Sequence, residues 1–324
     1  MNIDSEPHIP EELIPTQDDV DYDLAAALSA VVSVRAHIPD NAFTAPILGT
    51  ERTGHGVVIG KRGLVLTIGY LIAEAHQVWL FDQAGRVVAG DVLGYDYETG
   101  FGLVQALAPL AAPALDMGRV RELTPGQEVV IAGHGGRRQA LRATVTAIHE
   151  FAGYWEYLID TALFTSPAHP NWGGAAVLNR AGHLCAIGSL YIDRILPEGE
   201  SMSGNMSVPL DLLQPILDEL QTYGRTLKPA RPWLGVFVTQ ANDALVVAGT
   251  YPQAPAAKVL LNGDVVVAVA GTPVRELGSL YRRIWSIDHA GVEIPFTIRR
   301  EGRTLNVRVR SIDRRDLWHK PQVH

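Results

Sequence analysis

From Ala27 to about Ile195 the chain is built from short apolar runs punctuated by Gly, Asp and Pro: AVVSVRAHI, HGVVIG, GLVLTIGYLI, HQVWLFD, RVVAGDVLGYD, GQEVVIAG and RATVTAIHEF. Many short strands at such close spacing predict a sandwich or a barrel. The period then changes in SVPLDLLQPILDELQTYG. Leu212, Leu213, Ile216, Leu217 and Leu220 fall at helical spacing, with Asp211 placed to cap the start and Gly224 to end it. RTLKPARP follows as a linker, and a second unit runs from Trp233 to near Ile312. Its expected order is strand (235–238), strand (244–248), a short helix at APAAKVL, strand (264–269), a helix at LGSLYRRIWSI, and an alternating pair in VEIPFTIRREGRTLNVRVR. The Glu301-Gly302 dipeptide inside that pair marks a hairpin.

Composition narrows the class of function. Hydrophobic residues make up 47% of 324, which fits a globular chain able to bury sizeable cores. The net charge of −8 offers no general attraction to nucleic acid or an anionic membrane. Residues 1–34 hold eight acids and no Lys or Arg, leaving the remainder balanced. The first 23 residues thus read as an acidic, mobile arm. The start lacks a basic segment followed by an apolar one, and no apolar run approaches the ~20 residues of a bilayer span. These features predict a cytoplasmic chain, with the periplasm as the alternative. Cys185, the one cysteine, sits in the apolar GHLCAIGSL and reads as a core thiol. The histidines lack metal-ligand spacing, so no metal or cofactor is expected.

One loop asks for chemistry. HPNWGGAAVLN, residues 169–179, turns on two glycines and enters an apolar strand. Such a turn lets a backbone pass close beside a reacting side chain. The residue before the pair is Trp172, which has no nucleophilic atom.

Taken in order, these segments resemble the HtrA/DegP-like family over roughly residues 27–312. The resemblance implies a mainly β chain: a trypsin-like double β-barrel followed by an α+β PDZ domain. The implied boundaries are an acidic arm (1–26), the barrels (27–208), a connecting helix and linker (209–231), the PDZ domain (232–312) and a tail (313–324). RPWLGV, YPQAPAAK, NGDVVVAVAGTPV and REGRTLNVRV carry the PDZ resemblance. They imply a carboxylate-binding loop at Trp233, Leu234, Gly235 and Val236, and an edge strand continuing through Phe237 and Val238. That pattern suits a partner peptide or a protein C-terminus.

The three catalytic landmarks of the family are altered. Where the family usually reads Thr-Asn-Asn-His-Val-Val, this chain has TIGYLI, putting Tyr70 at the general base. TGFGLV stands for Thr-Asp-Leu-Ala-Val-Leu, putting Gly100 at the orienting acid. PNWGGAA stands for Gly-Asn-Ser-Gly-Gly-Pro-Leu, putting Trp172 at the nucleophile. The former oxyanion loop becomes Pro170, Asn171 and Gly173, and proline has no N–H to donate. The expectation is a pseudoprotease that binds or scaffolds proteins through its PDZ domain. Its alternatives are an endopeptidase using displaced residues, such as Ser166 with His169, or a regulatory subunit of an active relative. His76, His134 and His149 are scattered, and loop histidines are usually solvated. HGGRR (134–138) reads as a solvated hairpin, and the aromatic FAGYWEYLI as barrel core and rim. By family resemblance the assembly is a homotrimer or a mixed trimer.

Overall fold

In a computed structural model, residues 8–195 and 201–318 are described. The chain forms two compact units. Among the described residues, the first comprises 8–149, 161–195 and 201–226, and the second 150–160 and 227–318.

The first unit holds two closed six-stranded barrels. β1 (Val31–His37), β2 (Glu51–Gly60), β3 (Leu64–Ile68), β4 (Gln77–Phe81), β5 (Val87–Tyr95) and β6 (Phe101–Ala106) close in the order β1-β2-β3-β6-β5-β4. β7 (Glu128–Ala132), β8 (Ala140–Gly153), β9 (Tyr157–Ser166), β10 (Ala176–Leu178), β11 (Leu184–Ile195) and β12 (Ser201–Pro209) close as β10-β11-β12-β9-β8-β7. Closure removes the unpaired edges that would otherwise template aggregation. Val34, Leu66, Leu80 and Phe101 fill the first barrel, and Ile131, Leu163, Val177 and Cys185 fill the second. Burial pushes the Cys185 thiol up to about 12, so it packs as an apolar group.

Over the residues described, the acidic arm makes specific contacts within the first unit. Ile9 is buried, and Asp23 caps α1 (Leu24–Ser29) by accepting from the Ala26 N–H at 2.9 Å. Arg142 on β8 donates to Asp19 at 3.1 Å and to the Glu12 carbonyl at 2.7 Å, while Arg180 pairs with Asp21 at 2.9 Å. The acids of the arm therefore meet basic residues of the second barrel, a pairing distant in sequence.

The helix expected from Asp211 to Gly224 is broken. Leu210–Leu212 form a 3-10 turn, and α2 runs only over Leu217–Tyr223. Pro215 explains the gap, because its ring cannot sit in a helix interior and it lacks an N–H. Asp211 accepts from Val120 N at 2.7 Å instead of capping, whereas Gly224 ends the helix as expected, at φ +69°.

The second unit is a sheet ordered β13-β14-β15-β17-β18, where β13 is Val236–Ala241, β14 Ala244–Thr250, β15 Val265–Val269, β17 Glu293–Arg300 and β18 Arg303–Arg310. A two-residue β16 (Thr272–Pro273) pairs with β15. α3 (Leu277–Trp285) lays Leu280, Tyr281 and Ile284 into a core with Val236, Val238 and Phe296. The expected helix at APAAKVL is a single 3-10 turn, Pro255–Lys258. Glu301 and Gly302 both take positive φ (+49° and +77°), as a tight hairpin turn requires. HGGRR lies in the connection of the antiparallel β7–β8 hairpin, where Gly136–Gln139 make a 3-10 turn. FAGYWEYLI is not barrel core: it comprises the end of β8, the turn 154–156 and the start of β9, all of which group with the second unit.

Arg142→Ala should free the arm. Limited proteolysis is expected to cut within residues 9–22 much faster than in the wild type, and an unchanged cutting rate would show that Arg142 does not hold it.

Candidate functional site

The glycine turn of the first unit is built by backbone constraints. Gly173 O accepts from His55 N at 2.8 Å, and Gly174 N donates to Gly188 O at 2.9 Å. Gly174 has φ +79°, and a Cβ there would lie 1.9 Å from the His55 carbonyl oxygen, so no other residue fits. The Trp172 indole packs against Tyr191, with ring centroids 5.4 Å apart.

Tyr70 lies in the 3-10 turn Gly69–Leu71. Its hydroxyl donates to the Ser189 carbonyl at 2.9 Å, and burial drives its ionisation well above the ordinary phenol range. The hydroxyl is thereby a committed donor. Gly100 accepts from the Gly69 N–H at 2.6 Å and has φ +88°. Tyr70 and Trp172 line one cleft, supplying a phenol and an indole, while Gly100 is buried and bonded to Gly69 beside Tyr70.

Pro170 and Asn171 also line this cleft. The Asn171 N–H donates to His169 Nδ1 at 3.1 Å. His169 is fully buried rather than solvated, with Nε2 3.1 Å from the Gln139 carbonyl. The Ser166 hydroxyl donates to Ser203 O at 2.9 Å, so both members of the considered Ser-His pair have other partners. His149 stacks on Phe164 at 4.3 Å. His55, a residue sequence reasoning passed over, lies at the cleft and accepts from His134 N at 3.0 Å through Nδ1. Burial and the neighbouring His169 and His134 push it down to about 4, leaving a neutral ring.

In the second unit the expected carboxylate loop holds a carboxylate. Leu234 N donates to Glu156 at 3.1 and 3.3 Å to its two oxygens, Gly235 N at 2.7 Å and Val236 N at 3.3 Å. Gly235 has φ +71°, which turns these amides toward one point. Two residues before Glu156, the Tyr154 carbonyl accepts from Val238 N at 2.9 Å, on the edge strand β13. The Tyr154 ring lies 5.8 Å from that of Phe237, and Trp233 contacts Tyr251 at 5.5 Å. Glu156 itself takes φ +59° and donates its N–H to the Tyr281 hydroxyl at 3.3 Å, and that hydroxyl donates to Gly153 O at 2.7 Å. The six residues Trp233 to Val238 therefore meet Glu156 or its neighbours directly or through this aromatic surround. Glu156 escaped sequence reasoning; the one available signal was an acid set within YWEY.

Comparison with known proteins agrees with both units. The trypsin-like peptidase domain family matches residues 54–187, and the PDZ domain family matches residues 232–310. Across both units the chain is similar to HtrA/DegP-like proteins. A probable periplasmic serine endoprotease, DegP-like, from Pseudomonas fluorescens is 26% identical over 274 residues, covering 79% of this chain and 55% of its own. The serine endoprotease DegS of Haemophilus influenzae is 25% identical over 277 residues, covering 81% and 77%. The chain spans about half the length of the DegP-like relatives it matches. Among solved structures, the HtrA-type protease AlgW with a tripeptide superimposes with a TM-score of 0.53 at 20% identity, covering 89% of this chain and 95% of that one. Several relatives are named as periplasmic, which does not support the cytoplasmic expectation. No helix among the described residues is long and apolar enough to cross a membrane.

Glu156 gives the HtrA-like chain a pH dependence with a definite sign. Burial outweighs the amides of Gly235, Leu234 and Val236 and the charge of Arg314, pushing the carboxyl up to about 7; the Tyr281 and Tyr251 hydroxyls complete its surroundings. An acid raised above its ordinary value contributes fully below about pH 4.5 and loses that contribution as pH rises through about 7. Protection of the Val238 amide, corrected for intrinsic exchange, should therefore fall between about pH 5 and pH 8. Constant protection would uncouple Glu156 from the Tyr154 contact.

Proposed function

We propose that this chain is a catalytically inactive HtrA-like protein that binds peptides or protein C-termini through its PDZ domain. The observation that carries the reading is Trp172 on the glycine turn, where the resemblance puts the attacking serine. A Ser-His-Asp hydrolase needs an oxygen nucleophile, an imidazole to take its proton and a carboxylate to orient that imidazole. Tyr70 and Gly100 supply neither of the latter two. Losing the nucleophile or the histidine alone costs about 10⁶-fold in a comparable enzyme. An oxyanion donor is worth a further ~10²–10³-fold, and Pro170 has no N–H to give.

Peptide binding is supported by the arrangement of Leu234, Gly235 and Val236 amides beside an edge strand, which suits a terminal carboxylate followed back by an added strand. The relatives' named compartment favours the periplasm over the cytoplasm for this role. The chain works there as a homotrimer or beside an active relative, and sedimentation of the pure protein separates the two.

The purified protein should take no fluorophosphonate label and leave an unfolded substrate intact. Saturable labelling of one serine would overturn inactivity and locate the displaced nucleophile. Restoring the triad residues as Trp172→Ser, Tyr70→His and Gly100→Asp together should not restore cleavage. Pro170 still lacks its donor, and an aspartate at φ +88° costs about 1–2 kcal/mol in placement. Cleavage above background by that triple variant would show that side chains alone had been missing.

A further inference from the structure

The groove of the second unit already contains a ligand, and the chain supplies it. Tyr154, Trp155 and Glu156 form a turn that touches the edge of β13 at two points. An oxygen acceptor at Tyr154 meets Val238 N, and a carboxylate two residues later meets three converging amides. These two contacts are ones that a peptide added at a sheet edge would also make, a main-chain acceptor on the edge strand and a carboxylate on the loop amides. A side-chain carboxyl group has the same planar shape and pair of oxygens as a chain terminus. It needs no free end, provided the chain can turn away immediately afterwards. The left-handed φ of +59° at Glu156, costly for a residue with a Cβ, makes that turn.

Other contacts fit the tip to the groove. On α3, Gly278 leaves room for Glu150, whose Oε1 would lie 2.0 Å from a Cβ there. Arg282, one turn further on, bonds Glu150 at 2.5 Å and also pairs with Asp160, so the two sides of the tip are clamped by one guanidinium. Trp155 stacks on Tyr157 at 5.8 Å with planes 11° apart, which stiffens the turn. Leu158 joins the core of Val236, Val238 and Leu280.

We propose that the Tyr154–Glu156 tip is a built-in ligand of the PDZ groove, so that a peptide ending in a free carboxylate binds only by expelling it. The inference rests on the peptide-binding reading above. Both ligands need the same three amides and the same edge of β13, and neither can be held while the other is. The apparent affinity for an external peptide is therefore lowered by the fraction of molecules whose tip is docked.

The test uses the full chain and its Glu156→Ala variant, with folding checked by circular dichroism. A display screen for free C-termini is run against the variant. The tightest hexapeptide found is then titrated into both proteins, with its C-terminally amidated form as control. The variant should bind about tenfold tighter or better, and the amide should bind neither. Equal, measurable affinity for the two proteins would overturn the built-in ligand while leaving peptide binding intact. No binding peptide against a folded variant would overturn the peptide-binding reading itself, and the inference with it.

Hydrogen exchange on the wild type needs no variant. Saturating peptide should deprotect residues 150–160, while residues 234–238, bonded in either state, stay protected. Unchanged exchange at 150–160 under saturating peptide would place the peptide beside a docked tip and sink the inference.

Discussion

Three backbone N–H groups that converge on one point away from bulk water must find an acceptor, or the fold loses the cost of each unpaired donor. At Leu234, Gly235 and Val236 this constraint organises much of the second unit. Glu156 meets it, and meeting it fixes the tip at the edge of β13, brings Tyr281 onto Gly153 and Glu156, and sets the clamp of Arg282. A recognition loop is an electrostatic demand before it is a binding site. Any carboxylate of the right reach answers it.

The cleft of the first unit shows the converse case, in which backbone geometry is set independently of the side chains that line it. The turn around Gly173 and Gly174 is held by His55 N, the Gly188 carbonyl and a close approach that excludes a Cβ. None of these depends on what side chain precedes the glycines. Trp172 occupies that position without disturbing the turn, and its ring packs on Tyr191. The Tyr70 hydroxyl likewise holds a fixed hydrogen bond to the Ser189 carbonyl. Backbone closure of the barrels and side-chain chemistry at their cleft are separable.

Much of this was legible in the sequence, because strands and turns are written locally. The alternation in VEIPFTIRR appears as buried Ile294, Phe296 and Ile298, and Glu301-Gly302 supplies the turn. The altered landmarks pointed to one cleft, and Tyr70 and Trp172 do line it. What was misread depended on partners distant in the chain. The helical leucines of residues 212–220 were correctly spaced, but Pro215 forbids the hydrogen bond that would join them. The acidic arm looked solvated until Arg142 and Arg180, more than a hundred positions away, met it. The aromatic run around Glu156 fitted a barrel by composition, and its destination is set by amides about eighty residues later.

A covalently attached occupant is never diluted. Its effective concentration at the groove follows from the geometry of the β8–β9 connection, and it is the same whether the cell holds few copies of the protein or many. A groove competed for by a separate inhibitor would open and close with the ratio of the two proteins. Here the threshold belongs to the single molecule, so occupancy by outside peptides reports their own abundance and quality of fit.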